Sequence, residues 1–255
     1  MARAMVCLME FRQHINHYSV SAIGVVGTKT FRTANNVAPL LRQAEQLGFT
    51  IDVISGEREA ELIYRGVAFA LPNDDQERLV IDIGGGSTEF AMGINHKHFL
   101  LRSLSVGCVS WRDRFFAGGN IDKDDFKTAV IAAREHIYMC RHELTAVPWK
   151  KVYASSGTAK MLATIARDMG FSDGTLTLDV LKSIRDAALA FETVEQIELP
   201  GLKALRQTVL LPGLAIMTAV MRELNIQKIA HSKTALREGL LLELLYGGGK
   251  QVSLL

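Results

Sequence analysis

The sequence predicts an α/β fold, and three observations carry that expectation. Strand-like and helix-like hydrophobic periods alternate along most of the 255 residues. Residues 79–93, LVIDIGGGSTEFAMG, read as two apolar strands joined at three consecutive glycines. Polar breaks separate the periodic segments, the clearest being Pro72-Asn73-Asp74-Asp75. Hydrophobic residues make up 48% and charged residues 22% of the chain, an ordinary globular composition that allows one large domain or two modest ones.

Residues 1–17 suit a helix, because Met1, Met5, Leu8, Arg12 and Ile15 recur every three or four positions. Residues 21–26 read as a strand. An amphipathic helical pattern follows over 34–47, stopped by Gly48, then a short strand at 50–54 and a helix over 57–69. After the polar break come the hairpin at 79–94 and a further strand near 98–105. A charged amphipathic helix spans about 122–144. Residues 151–154 are a strand ending in Ser155-Ser156-Gly157-Thr158, and 159–169 a helix. Helices are expected at 178–191 and 207–224, with Pro212-Gly213 a kink or boundary in the second. Residues 227–231 make a last strand and 235–246 a last helix.

From Leu79 onward this order is three antiparallel strands, a helix, a strand, a helical insertion, a strand and a helix. It matches a complete ribonuclease-H-like half of an actin-like ATPase fold. Residues 1–75 match only the later part of such a half, starting at the helix that should follow its first three strands. The expected division is therefore an incomplete first half (1–75), a complete second half (76–246), and a flexible tail (247–255) around Gly247-Gly248-Gly249-Lys250.

Several classes are disfavoured. A net charge of +2 argues against a broad nucleic-acid footprint and leaves room for local basic patches facing a polyanion. Cys7, Cys108 and Cys140 are odd in number and far apart, so neither a zinc site nor a disulfide framework is indicated, and a cytoplasmic location is expected. No window approaches the eighteen or so apolar residues of a membrane span, so no membrane partner is expected. Glu10 and Arg12 interrupt the N-terminal apolar run too early for a signal peptide.

The chemistry concentrates at the glycines. Asp82 closes an otherwise apolar strand, and a buried aspartate is costly unless it is paired, hydrogen-bonded or holding a metal. Gly84, Gly85 and Gly86 let backbone amides approach a ligand, and Ser87-Thr88-Glu89 follow. The combination suggests a turn that cradles phosphate oxygens while its carboxylates hold a divalent cation or a water. A Walker A loop is excluded because no lysine follows the glycines, and a dinucleotide fingerprint because Glu89 stands where a glycine is required. A plain glycine turn leaves Asp82 and Glu89 unexplained.

The wording of this segment resembles the exopolyphosphatase / guanosine pentaphosphate phosphatase family. Further blocks in order resemble it too: Val25-Val26-Gly27-Thr28 with Phe31-Arg32 and Asn35; Ile54-Ser55-Gly56-Glu57-Arg58-Glu59-Ala60; Val106-Gly107-Cys108-Val109-Ser110; Ser156-Gly157-Thr158; and Ala235-Leu236-Arg237-Glu238-Gly239. The resemblance implies that Glu59 is the general base that activates water, with Glu57 its nearest competitor. It implies that Asp82 and Glu89 hold Mg²⁺, directly or through water. Gly84, Gly85, Gly86 and Ser87 would then bind phosphate, and Arg32 and Arg237 would clamp it, against the alternative of solvated surface arginines. Ser156, Gly157 and Thr158 would present amides to an anion, or simply cap a helix. The histidines are not expected to act as ligands or bases, and Cys108 is expected to be a small buried residue.

Three departures bear on the transfer. The family's first phosphate loop, Asp-x-Gly-Ser-Asn-Ser, does not occur in these residues; Lys233 and Thr234 replace a carboxylate and a glycine in the last block; and the C-terminal helical domain of the family's long members is expected to be lacking. The resemblance implies a phosphoanhydride hydrolase that releases terminal phosphate from inorganic polyphosphate. The alternatives are a guanosine pentaphosphate phosphatase or a truncated phosphate- or alarmone-binding module with little turnover. Open strand edges in the first half are expected to give a homodimer or a strand-swapped oligomer.

Overall fold

A computed structural model of the chain describes residues 2–246; the tail expected at 247–255 lies outside the described residues. The first part comprises α1 (Ala2–Asn16), β1 (Val25–Gly27), α2 (Lys29–Thr33), α3 (Val37–Gln46), β2 (Ile51–Val53) and α4 (Gly56–Phe69). Three strands follow, β3 (Glu77–Ile83), β4 (Thr88–Ile94) and β5 (Lys97–Leu104), then α5 (Cys108–Phe115), α6 (Lys123–Leu144), β6 (Lys151–Ser155) and α7 (Ser156–Asp168). The chain continues through α8 (Leu178–Ala188), α9 (Gln207–Glu223), β7 (Ala230–His231) and α10 (Leu236–Tyr246).

The sheets have the ribonuclease-H-like arrangement. Strands β1 and β2 pair in parallel as a two-stranded sheet, and the other five form a mixed sheet in the order β5-β4-β3-β6-β7. Successive side chains of a strand point to opposite faces, and on β3 both faces are buried. Leu79, Ile81 and Ile83 join Phe90 and Met92 in the larger apolar cluster, with helices α5 to α9. Val80 and Ala91 point the other way and meet Ile63, Tyr64, Val67 and Ala68 of α4. Helix α10 lies across α4 on that second face, where Leu236 packs against the smaller cluster.

Several expected boundaries shift for identifiable reasons. The helix expected over 34–47 starts later, at Val37, as α3, and a separate short helix not expected from the sequence, α2, precedes it. Pro39 has no N–H and its ring clashes with a carbonyl four residues back, so a helix containing it must start within a turn of it, here at Val37. The strand expected at 21–26 narrows to β1, whose only described partner is the three-residue β2. The strand expected at 227–231 narrows to β7, which finds partners only in Tyr153 and Ala154. Helix α5 was not anticipated from the sequence. Pro212 neither breaks nor bounds α9, in which residues 209–221 are buried without interruption, so packing outweighs the lost hydrogen bond. The sequence expectation that no window resembles a membrane span is corrected as well. Residues Ala204–Glu223 are long and apolar enough by length and composition, yet most of that stretch is buried in the core.

Helices α4 and α10 touch through backbone. A Cβ on Gly66 would lie 2.0 Å from the Ala235 carbonyl oxygen, and one on Gly239 would lie 1.8 Å from that of Leu62. In an unconstrained helix interior, Gly→Ala gains about 1 kcal/mol. Here the sign reverses, because both obstacles are backbone atoms. Gly239→Ala is expected to lower unfolding stability by about 1–3 kcal/mol. Gly118→Ala, where nothing lies within 4 Å, should change it by less than about 0.5 kcal/mol. Urea denaturation of both variants checks this; an unchanged midpoint for Gly239→Ala would show that the two helices separate freely.

Candidate active site

Strand register assembles the site. Asp82 of β3 stands opposite Glu89 of β4, Glu89 stands opposite Ser103 of β5, and on the other side Asp82 stands opposite Ser155 of β6. Directly paired residues share a face, so four side chains form one row across four strands, on the face covered by α4. Ser155 Oγ donates to Asp82 Oδ2 at 2.6 Å, and Ser103 Oγ donates to Glu89 Oε1 at 2.8 Å. The other oxygen of Glu89, Oε2, is buried with no hydrogen-bond partner.

Helix α4 brings the third carboxylate. Ser55 caps it by accepting from the Arg58 amide at 3.1 Å. Gly56 allows the first turn to press on Ser103, since a Cβ there would lie 2.4 Å from the serine side chain. Glu59 is consequently only 8% exposed and faces the row, whereas Glu57 is exposed to solvent. Arg32 Nη1 donates to Glu59 Oε2 at 3.2 Å and to the Ile54 carbonyl at 2.7 Å, which ties α2 to the base of α4.

Three carboxylates with one cation among them titrate abnormally. Burial pushes Glu59 above the ordinary carboxylate range, opposed by Arg32 and by a hydrogen bond from Thr28. Burial raises Asp82 to about 6, opposed by the Ser155 hydrogen bond and assisted by the charge of Glu59. Glu89 rises to about 8, through burial first and then Glu59, with Ser87 and Ser103 opposing and Asp82 adding. The charge of Glu59 is thus felt at both Asp82 and Glu89, and that of Asp82 at Glu89. Among the described residues, however, no three His, Cys, Asp or Glu side chains converge closely enough to hold a metal by themselves.

The glycine turn is held from one side. The Cys108 amide donates to the Gly84 carbonyl at 2.9 Å, and the Val109 and Ser110 amides donate to that of Gly85 at 2.8 and 3.2 Å. Gly107 makes this possible: a Cβ there would lie 2.4 Å from both the Gly85 oxygen and the Gly86 nitrogen. With the Gly84 and Gly85 carbonyls occupied by α5, the turn has amides at Gly85 and Gly86 that meet no acceptor among the described residues. Lys29, unmarked in the sequence, lies over Gly86 and donates to Ser105 Oγ at 2.7 Å.

Beside the row opens a cavity of about 600 Å³, and Asp82, Ser156, Gly157 and Arg237 all line it. Ser156 takes φ +85° at the junction of β6 and α7. Its hydroxyl accepts from the amides of Thr158 and Ala159 at 3.2 and 3.4 Å, so the capping role belongs to Ser156. Thr158 departs from the expectation that it binds phosphate. Its hydroxyl donates to the Ile83 carbonyl at 2.9 Å, its amide is taken by Ser156, and it is buried outside the cavity wall. Ser103 and Ser155 were missed in the sequence: the β4–β5 pairing places Ser103 beside Glu89, and the parallel β3–β6 pairing, between strands far apart in the chain, places Ser155 beside Asp82.

The sequence profile described as the Ppx/GppA phosphatase family matches residues 1–246. Among solved structures, an exopolyphosphatase from Cytophaga hutchinsonii is similar over 95% of this chain and 81% of its own, at 26% identity and a TM-score of 0.85. A Ppx/GppA family member from Aquifex aeolicus is similar over 95% of this chain and 80% of its own, at 24% identity and a TM-score of 0.78; at that identity it speaks to the fold alone.

The raised acid of Glu89 has a consequence for stability. Where a carboxyl titrates higher in the folded than in the unfolded chain, the native state keeps a proton the unfolded state has released. Stability then falls as pH rises from the ordinary carboxylate range to about 8, and no penalty exists below that range. Glu89→Gln keeps an acceptor for Ser103 and removes the charge. The variant is expected to be more stable than the parent at pH about 8, by on the order of 1–3 kcal/mol, with a flatter pH dependence. Urea midpoints across that range decide; a variant that is less stable at alkaline pH would mean that Glu89 ionises without cost.

Proposed function

This chain belongs to the Ppx/GppA phosphatase family, and from that premise we propose that it is an exopolyphosphatase-like hydrolase of phosphoanhydride bonds. The observation that carries the reading is the placement of Glu59, a buried carboxylate held by Arg32, against the cross-strand pair Asp82 and Glu89 beside the glycine turn. The similarity to an exopolyphosphatase at 26% identity supports inorganic polyphosphate as substrate.

In this reading the terminal phosphate lies over the turn, with the Gly85 and Gly86 amides and Ser87 as donors. Glu59 accepts a proton from a water whose oxygen bonds to the terminal phosphorus. The bridging oxygen–phosphorus bond breaks, and its electron pair leaves on the shortened chain. Arg32 holds the Glu59 carboxylate in position while the proton moves. General-base assistance of this kind typically supplies about 10²–10⁴ in rate.

Asp82 and Glu89 are proposed to hold Mg²⁺. The residues fit: both are oxygen donors, and Glu89 Oε2 is a buried atom without a partner. Mg²⁺ is usually bound by one or two carboxylates together with phosphate and water, which agrees with the absence of a third converging ligand. When bound, it would neutralise phosphate charge and ease ionisation of water.

We also propose cytoplasmic action as a homodimer. The three cysteines are unpaired. The two-stranded sheet β1–β2 has no further described strand on either edge, and Val6 and Phe11 of α1 are exposed. Sedimentation equilibrium should give twice the chain mass, and a monomer at all concentrations would overturn the dimer.

Phosphate release from polyphosphate tests the main reading. Glu59→Gln is expected to lose about 10²–10⁴ in rate, and the exposed Glu57→Gln to retain most of it. Omitting Mg²⁺ should abolish turnover of the parent. If Glu57→Gln is inactive while Glu59→Gln is not, the base has been assigned to the wrong carboxylate.

A further inference from the structure

Lys29 is the first residue of α2, and its side chain crosses the glycine turn. A Cβ on Gly86 would lie 2.9 Å from Lys29 Cγ and 3.5 Å from Lys29 Cβ, so the methylene stem rests on that glycine. The ammonium ends at Ser105 Oγ, 2.7 Å away. Ser105 belongs to the segment that borders the turn. The Thr88 hydroxyl donates to the Val106 carbonyl at 2.6 Å, and Gly107 lies against Gly85 and Gly86. Lys29 therefore spans the turn, from α2 to the end of β5.

The local fold of the first part puts it there. Strand β1 ends at Gly27, where a Cβ would be 2.7 Å from the Phe31 ring, so α2 folds closely back on the strand. The Phe31 and Arg32 amides donate to the Thr28 carbonyl at 2.9 and 3.2 Å and fix the first turn of the helix. Thr28 and Arg32 both hydrogen-bond to Glu59, while Lys29 between them reaches the glycines. One short helix and its cap thus serve the proposed base and the proposed phosphate seat together.

The charge of Lys29 is uncommitted. Its one side-chain hydrogen bond among the described residues goes to a neutral hydroxyl. An ammonium has three donors, so two remain for a ligand. Ser105 is exposed, and the ammonium can leave it without stranding a buried group. Arg32, the other cation nearby, already donates to Glu59 and to the Ile54 carbonyl. Lys160, Arg206 and Lys233 stand in the wall of the cavity beside Asp82, which Gly84, Gly85 and Gly86 do not line. A compact ammonium on a flexible stem, reaching over a cradle of backbone amides, is a recurrent device for holding phosphate.

We propose that Lys29 is a catalytic residue of the hydrolytic site: its ammonium leaves Ser105 and contacts a non-bridging oxygen of the terminal phosphate held by the Gly85 and Gly86 amides. The proposal rests on the hydrolase reading of that site and goes further in naming the cation that meets the phosphate at the turn. No bond to Lys29 forms. Its charge offsets that of the phosphate while the water oxygen bonds to phosphorus and the bridging bond breaks. The same contact holds the released phosphate until it departs.

Binding of inorganic phosphate and turnover of polyphosphate, both with Mg²⁺ present, test this on three variants. Lys29→Met keeps a stem over Gly86 and removes the charge. Lys29→Arg keeps the charge, and Ser105→Ala removes the resting partner while leaving the ammonium. Circular dichroism verifies that each folds. Lys29→Met is expected to lower kcat by about 10- to 100-fold and to weaken inorganic phosphate, measured by calorimetry, by about 10-fold or more. Lys29→Arg should retain more of both. Ser105→Ala should stay within about twofold of the parent. Equal losses in Lys29→Met and Ser105→Ala would make the lysine a strap between α2 and β5 and overturn the proposal. Parental kcat and phosphate affinity in Lys29→Met would overturn it too. If the parent binds phosphate, Lys29→Met loses it and neither hydrolyses polyphosphate, the phosphate contact stands and the hydrolase reading fails. A parent that neither binds phosphate nor releases it would sink both.

Discussion

Pairing Asp82 with Glu89 across the β3–β4 hairpin places two carboxylates on one face of the sheet, and most of the site follows from that register. A slip of one residue would turn Asp82 into the cluster of Leu79, Ile81 and Ile83 and bring those three out against α4. Neither is tolerable, because a carboxylate among apolar helices has no partner and three large aliphatic side chains would lose their core. The alternation that stabilises the sheet therefore also aims the acids. The cost is electrostatic. Burial and the neighbouring charge of Glu59 disfavour ionisation of both Asp82 and Glu89, and only the hydroxyls of Ser155, Ser103 and Ser87 oppose it. A site in this condition is stabilised by a ligand that neutralises it.

The position of Glu59 depends on how deeply α4 sits. Its inner face meets Val80 and Ala91, its first turn presses on Ser103 through Gly56, and its outer side is clamped by α10 through Gly66 and Gly239. Close contact on both sides, with the Ser103 side chain on the sheet side and with backbone on the α10 side, leaves little freedom for sliding. The carboxyl group of Glu59 lies in the first turn, where the helix dipole favours negative charge, and Arg32 grips it from α2. A carboxylate proposed as a base gains from this kind of support, which holds it within a fraction of an ångström. Stability of the α4–α10 contact and competence of the site are thus one property.

The hairpin, Asp82, Glu89 and the helix carrying Glu59 were legible in the sequence because each is local: a glycine triplet between apolar runs, a lone acid at a strand end, a Ser-Gly pair opening a helix. The order of strands and helices in residues 77–246, α5 excepted, was legible for the same reason. What escaped was set by tertiary partners. The width of β1 and β7 depends on how many residues face them, and the continuity of α9 through Pro212 depends on its burial. Thr158 stands in a segment that resembles an anion loop, yet its hydroxyl belongs to Ile83 on another strand. Pro39, by contrast, was a local signal that places the start of α3, and the pattern over 34–47 concealed it. The cations of the cavity were invisible for the opposite reason: Lys160, Arg206 and Lys233 are unremarkable surface residues until β6, β7 and the turn before α9 bring them to one wall.

Three buried carboxylates with a single arginine, Arg32, among them form a negative region. The wall of the adjoining cavity carries Lys160, Arg167, Arg206, Lys233 and Arg237, and Asp82 stands in that wall, so the two regions meet. A net charge of +2 over the whole chain conceals this division, since what a ligand encounters is the local field: positive along the cavity wall, negative at the three carboxylates. That separation of charge falls at one turn, β6 to α7, where Ser155 turns inward to Asp82 and Ser156 opens toward Lys160 and Lys233.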